Sequence, residues 1–138
     1  MTVRLGIASL LLVQAFILVS AQGKTTLDGV YTAAQAARGE TVYKESCSSC
    51  HGDDLSGGGQ APALTGKDFN TDWIDLSVND LYDRTHLSMP ADKPGSLTPA
   101  QTVDVIAFLL SKGTFPAGQA ELAPDAAALK GIKFVAPK

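Results

Sequence analysis

The chain has 138 residues, with 11 Lys and Arg against 14 Asp and Glu, a formal net charge of −3, and 45% hydrophobic residues. That length gives one domain with a modest core. It carries no basic patch with interleaved aromatics, which excludes nucleic acid as a partner.

Residues 1–21 read as a secretory signal cleaved after Ala21. Arg4 makes a positive start, Leu5–Val19 is mostly apolar, and Val19-Ser20-Ala21 places small residues before the cut. The alternative is a retained anchor. A spanning helix needs about 20 apolar residues, and Gly6, Ser9 and Gln14 interrupt this shorter run. No cysteine lies near the cut, which argues against a lipid anchor. Cleavage leaves 117 residues with 10 basic and 14 acidic side chains, net −4.

Residues 22–32 form a flexible lead, polar and glycine-containing as far as Gly29. Helical pattern begins at Val30 and runs to about Ser46, rich in Ala, with Ala37, Val42 and Tyr43 able to share a face. Gly39 inside this helix is either a tolerated surface glycine or a point where another helix crosses closely, and the second reading is preferred.

Cys47-Ser48-Ser49-Cys50-His51 follows directly. Cys-x-x-Cys-His is the attachment signature of a c-type haem. Two thiols must reach two vinyl groups on one edge of the porphyrin, and the next imidazole must reach the iron. On a helical segment, positions i+3 and i+4 return to the side of position i. Other readings of Cys-x-x-Cys fit less well. A thioredoxin-like pair wants a βαβ context that the chain lacks. A zinc site wants four ligands, and His86 is too distant in sequence to complete a compact finger. A disulfide leaves His51 unexplained. Both cysteines belong to the motif, so no other disulfide can form.

Gly52–Gly66, with Gly57-Gly58-Gly59 and Pro62, is a loop. No Lys-Ser/Thr pair follows the glycines, so it is not a phosphate loop. The second ring nitrogen of a metal-bound histidine needs a partner, and the Pro62 carbonyl is the candidate for His51. Phe69 and Trp73 lie four apart on one helical face. Trp73 is equally a core aromatic or a donor to a haem propionate. Ser77 and Asp80 resemble a capping box that opens a helix from Val78 to about His86, with Leu81 and Tyr82 inward.

Met89-Pro90 comes next. Met1 goes with the signal, leaving Met89 as the only methionine. Pro90 disfavours helical geometry at Met89 and stiffens the turn that presents its thioether. Alone, Met89 would read as a core gap-filler; with a haem motif upstream it reads as the sixth iron ligand. Thr98-Pro99-Ala100-Gln101 is a capping box with proline at the first helical position. The helix 99–112 buries Val103, Ile106, Ala107, Leu109 and Leu110, and Phe108 is placed to pack over a glycine of another helix. Residues 114–138 hold Pro116, Pro124 and Pro137 and read as an extended or partly helical tail, packed on the domain or trailing from it.

Over residues 33–113 this order resembles a small class I monohaem cytochrome c. The resemblance implies an all-α fold: three to four helices wrapped around one covalently bound haem c, with an extended C-terminal tail. It implies Cys47 and Cys50 as thioether cysteines, His51 as proximal ligand, Met89 as distal ligand, and Pro62 as the residue orienting His51. It places Gly39, Tyr43 and Phe108 where the first and last helices cross. It also implies haem attachment outside the cytoplasm, hence a periplasmic protein with no stable membrane insertion after cleavage.

With His51 and Met89 both on the iron, no coordination site is open, and the expected role is a one-electron carrier rather than an enzyme. His/Met ligation raises the potential. The expected partners are redox proteins: a dehydrogenase, a membrane cytochrome complex or a terminal oxidase. The alternatives are an electron-accepting subunit of a periplasmic dehydrogenase and, least favoured, a haem enzyme or gas sensor in which Met89 leaves the iron.

Overall fold

The structure, a computed structural model, describes residues 23–59 and 61–138, so the expected signal over 1–21 lies outside it. Its centre is the crossing of two 14-residue helices, α1 (Ala33–Ser46) and α5 (Pro99–Lys112). Each starts where the sequence supplies a cap. Thr32 Oγ1 accepts the Gln35 N–H, and its extended backbone starts α1 three residues later than Val30. Thr98 and Gln101 exchange the two bonds of a capping box, with Pro99 in the first turn of α5.

Gln35, Ala36, Gly39 and Tyr43 are the buried residues of α1. They recur at helical spacing and face α5. Ala37, expected inward, is exposed. Gly39 sits at the point of closest approach. A Cβ there would overlap the Asp104 carbonyl and lie 2.9 Å from Phe108 Cβ. Glycine alone allows the two backbones so near. One turn further on, the rings of Tyr43 and Phe108 meet with centroids 5.2 Å apart. Every residue of α5 from Thr102 to Leu110 is buried, as expected of a helix that is apolar on nearly all sides.

Between these helices lie α2 (Ser48–His51), α3 (Gly66–Trp73) and α4 (Val78–Ser88). Ser77 and Asp80 form both bonds of the capping box that opens α4. The helix runs two residues past His86 and ends at Met89, whose extended φ of −121° and ψ of 151° suit a residue before proline. Among the described residues no helix is long and apolar enough to cross a membrane.

Among the described residues the architecture is all-α, as expected, with six helices where three to four were expected. The haem motif makes a short helix of its own, and the tail adds α6 (Ala126–Lys130). Two-residue strands β1 (Lys24–Thr25) and β2 (Ile132–Lys133) pair in parallel.

Of the two arrangements expected for residues 114–138, the structure has the packed and partly helical one: Phe115, Leu122, Leu129, Ile132 and Phe134 are buried in the main core. Phe134 packs edge-on against Phe69 and Phe115, at 6.1 and 5.3 Å between centroids. The lead is also tied down. Thr26 is fully buried; its hydroxyl donates to the Val135 carbonyl (2.8 Å) and accepts the Val135 N–H (2.9 Å). Tyr31 Oη donates to the Phe115 carbonyl at 2.7 Å. Gln35, 1% exposed, bonds both backbone groups of Leu122, at 2.9 and 2.8 Å. The core thus runs from Val30 to Phe134, across both expected boundaries at 33 and 113.

Two substitutions test this packing. Gly39→Val forces a side chain into the Asp104 carbonyl and is expected to destabilise the protein by about 3 kcal/mol, the upper end of overpacking. Phe134→Ala empties a fully buried ring position and is expected to cost about 3–5 kcal/mol. Denaturant unfolding measures both. A stability for Phe134→Ala equal to the parent's would mean that the tail does not belong to the core.

Candidate functional site

Cys47 ends α1 and begins α2. Its N–H donates to the Tyr43 carbonyl (2.8 Å), and its own carbonyl accepts from the N–H groups of Cys50 (3.2 Å) and His51 (3.0 Å). The motif is therefore a single helical turn, broken from α1 by the φ of −128° at Cys47. Ser49 and Cys50 face solvent, Ser48 and Cys47 are half-buried, and His51 is 8% exposed. The two cysteines are not joined as a disulfide. Burial, and secondarily Cys50, pushes the Cys47 thiol up to about 11, so the free thiol is protonated at neutral pH.

His51 Nδ1 lies 2.8 Å from the Pro62 carbonyl, the partner expected from the sequence. A carbonyl only accepts, so Nδ1 carries the proton and Nε2 keeps its lone pair for a metal. Local chain geometry makes this contact. The Gly57 N–H returns to the His51 carbonyl at 2.9 Å, and the Leu64 N–H bonds the Leu55 carbonyl at 2.9 Å. Gly57 has a φ of 81°, and a Cβ there would meet Ala61 O, Ala63 N and Pro62 C at 2.6–2.8 Å. The loop can close on Pro62 because position 57 has no side chain.

Tyr43 contributes beyond the helix crossing. Its hydroxyl donates to the Gly52 carbonyl at 2.6 Å, fixing the peptide that follows His51. Burial, then the nearby Cys47 and Asp53, pushes this phenol up to about 12, so it remains a donor. From the sequence alone, Tyr43 reads only as a helix-crossing residue. A tyrosine rather than phenylalanine four residues before Cys47 was the available signal.

Met89 is half-buried at the end of α4, its N–H bonded to the Thr85 carbonyl at 3.1 Å. Beyond it the Lys93 N–H returns to the Pro90 carbonyl at 2.9 Å, closing a turn. His86 is engaged elsewhere: Nδ1 lies 3.1 Å from Thr102 Oγ1, and the ring stacks on Tyr82 with centroids 5.2 Å apart. Trp73 packs on the core, its ring 6.2 Å from that of Phe69.

Among the described residues, which include every cysteine and histidine of the chain, no three His, Cys, Asp or Glu side chains converge as a metal cluster. The donor set instead fits a haem: two thiols one turn apart, an imidazole with one nitrogen tied down and one bare, and a thioether on a stiff turn.

The family described as cytochrome c oxidase, cbb3-type, subunit III matches residues 34–109, more than half of the chain, and that span holds Cys47, Cys50, His51 and Met89. The chain is 40% identical over 81 residues to a thiosulfate dehydrogenase of Stutzerimonas stutzeri (strain A1501), covering 54% of this chain and 26% of that protein. It therefore spans about a quarter of the relative's length. The crystal structure of the sulfane dehydrogenase SoxCD from Paracoccus pantotrophus shares its fold, with a TM-score of 0.50 and 24% identity over 83% of this chain and 60% of that one.

Proposed function

The chain belongs to the c-type cytochrome family of cbb3-type cytochrome c oxidase subunit III, and from that premise we propose that it is an exported, periplasmic monohaem cytochrome that carries single electrons between redox proteins. Family membership brings covalently bound haem c and electron transfer. In this reading Cys47 and Cys50 would form the thioether bonds, and His51 and Met89 would ligate the iron.

The observation that carries the reading is the 2.8 Å bond from His51 Nδ1 to the Pro62 carbonyl, directly after a one-turn motif with two free thiols. When bound, the haem supplies an iron that gains or loses one electron. The chain's residues hold that centre still. Pro62 fixes the tautomer and ring plane of His51. Tyr43 holds the peptide after it through the Gly52 carbonyl. The end of α4 and the Pro90 turn hold the Met89 thioether. Rigid ligands on both sides suit electron transfer, because the site need not rearrange as its charge changes. A thioether opposite the imidazole favours the reduced state and raises the potential.

The 40% identity to a thiosulfate dehydrogenase supports a second, narrower reading. Here the chain is the electron-accepting cytochrome of a periplasmic dehydrogenase, and a catalytic partner delivers its electrons.

Two outcomes check the proposal. The Cys47→Ala/Cys50→Ala double variant is expected to release its haem on acid–acetone extraction, whereas the parent retains it. Haem that stays with the double variant's polypeptide overturns the attachment. The oxidised parent is expected to show the weak red sulfur-to-iron charge-transfer band. Met89→Ala should remove that band, lower the potential and admit carbon monoxide to the reduced iron, while His86→Ala keeps the band. A parent without the band, whose iron is opened to carbon monoxide by His86→Ala and not by Met89→Ala, would make the protein a bis-histidine cytochrome.

A further inference from the structure

The turn that carries Met89 belongs to a ten-residue connection, 89–98, between the last residue of α4 and the first of α5. The two helix ends are joined across its base by one side-chain hydrogen bond, from His86 to Thr102 (3.1 Å). The direction of this bond follows from its neighbour. Thr102 Oγ1 donates its only proton to the Thr98 carbonyl at 3.0 Å, so it accepts from His86 Nδ1–H. Thr98 in turn caps α5, its hydroxyl accepting the Gln101 N–H at 3.2 Å. A chain of bonds therefore runs from the last turn of α4 into the first turn of α5. Thr102 is fully buried, and Tyr82 stacks on the imidazole at an interplanar angle of 25°, so both partners are held in place. The connection folds over the clasp: Leu97 is 4% exposed, and a Cβ on Gly95 would lie 3.9 Å from the His86 carbonyl.

Met89 lies one turn beyond His86, with its N–H on the Thr85 carbonyl. The Met89 thioether can leave a bound metal by rotation of its own side chain or with an outward swing of the end of α4 and the connection. The swing pulls on the bond at its base. We propose that His86 is a positioning residue, its Nδ1–H clasping Thr102 at the base of loop 89–98, and that this clasp sets how readily Met89 releases the haem iron. The inference rests on the reading of Met89 as an iron ligand. The clasp gives His86, which is not assigned to the iron, a defined task.

The test follows cyanide binding to the oxidised holoprotein at saturating cyanide, where the rate reports Met89 departure. Removing a net hydrogen bond is worth up to about a tenfold change in an equilibrium. His86→Ala and Thr102→Val should therefore each speed binding by several-fold to about tenfold, with the red band retained at rest. The double variant should bind no faster than the faster single variant, because both remove the same bond. His86→Asn, whose amide can donate from a similar position, should restore much of the parent rate. Thr102→Val guards against a His86→Ala variant that folds poorly, and thermal unfolding is recorded for each. Parent-like rates in both single variants, or effects that add in the double variant, overturn the clasp. A Met89→Ala variant that keeps the band and binds cyanide at the parent rate would instead overturn the ligand assignment, and the clasp with it.

Discussion

The crossing of α1 and α5 at Gly39 is the contact on which the remaining structure depends. With no side chain at position 39, the two backbones approach until the Asp104 carbonyl and Phe108 Cβ fill the space a Cβ would occupy. That distance brings Tyr43 onto Phe108 and sets where α1 ends. The end of α1 is Cys47, so the helix crossing decides the position of the first motif thiol and of the turn that follows. The same side of the crossing carries Arg38, whose guanidinium contacts Asp104 at 3.0 Å and Glu121 at 2.8 Å. Half-exposed pairs of this kind contribute little each. Their use here is geometric, since one planar group bridges α1, α5 and the tail.

Much of the polar bonding joins the lead, α1 and the tail rather than stabilising any one of them. Gln35 is the clearest case. Its amide has both its donor and its acceptor on the Leu122 backbone, in a fully buried position. An amide left unmatched there would cost about 1–3 kcal/mol, so the tail must arrive in one register. Thr26 with Val135 and Tyr31 with Phe115 repeat the same arrangement. The tail covers the far side of α5 and of Phe69, which a bare 33–113 unit would leave in water.

At the candidate site two local devices restrict the motif side chains. A glycine-rich loop turns back so that the Pro62 carbonyl accepts the hydrogen bond of His51 Nδ1–H. At Met89 a helix ends in an extended residue before proline.

The chain of 138 residues makes its chemistry plain because that chemistry is local. Cys47, Cys50 and His51 lie within one turn, and Met89 directly precedes a proline; the capping residues Ser77, Asp80, Thr98 and Gln101 act over three positions. Spacings this short are visible in a one-dimensional string, and so were the main helices and the Pro62 contact. What the string could not show were interactions between distant segments. Phe115, Leu122 and Leu129 fall seven apart, but Pro116 and Pro124 interrupt any helix that this spacing would suggest, and with Ile132 and Phe134 each is buried in a core built largely by other elements. The burial of Gln35, the Arg38 bridge and the engagement of His86 by Thr102 depend on partners 16 to 87 positions away. The exposure of Ala37 depends on the angle at which α5 crosses. Local spacing fixed the attachment motif, and tertiary packing alone decided how tightly the lead, the tail and the Met89 turn are held around it.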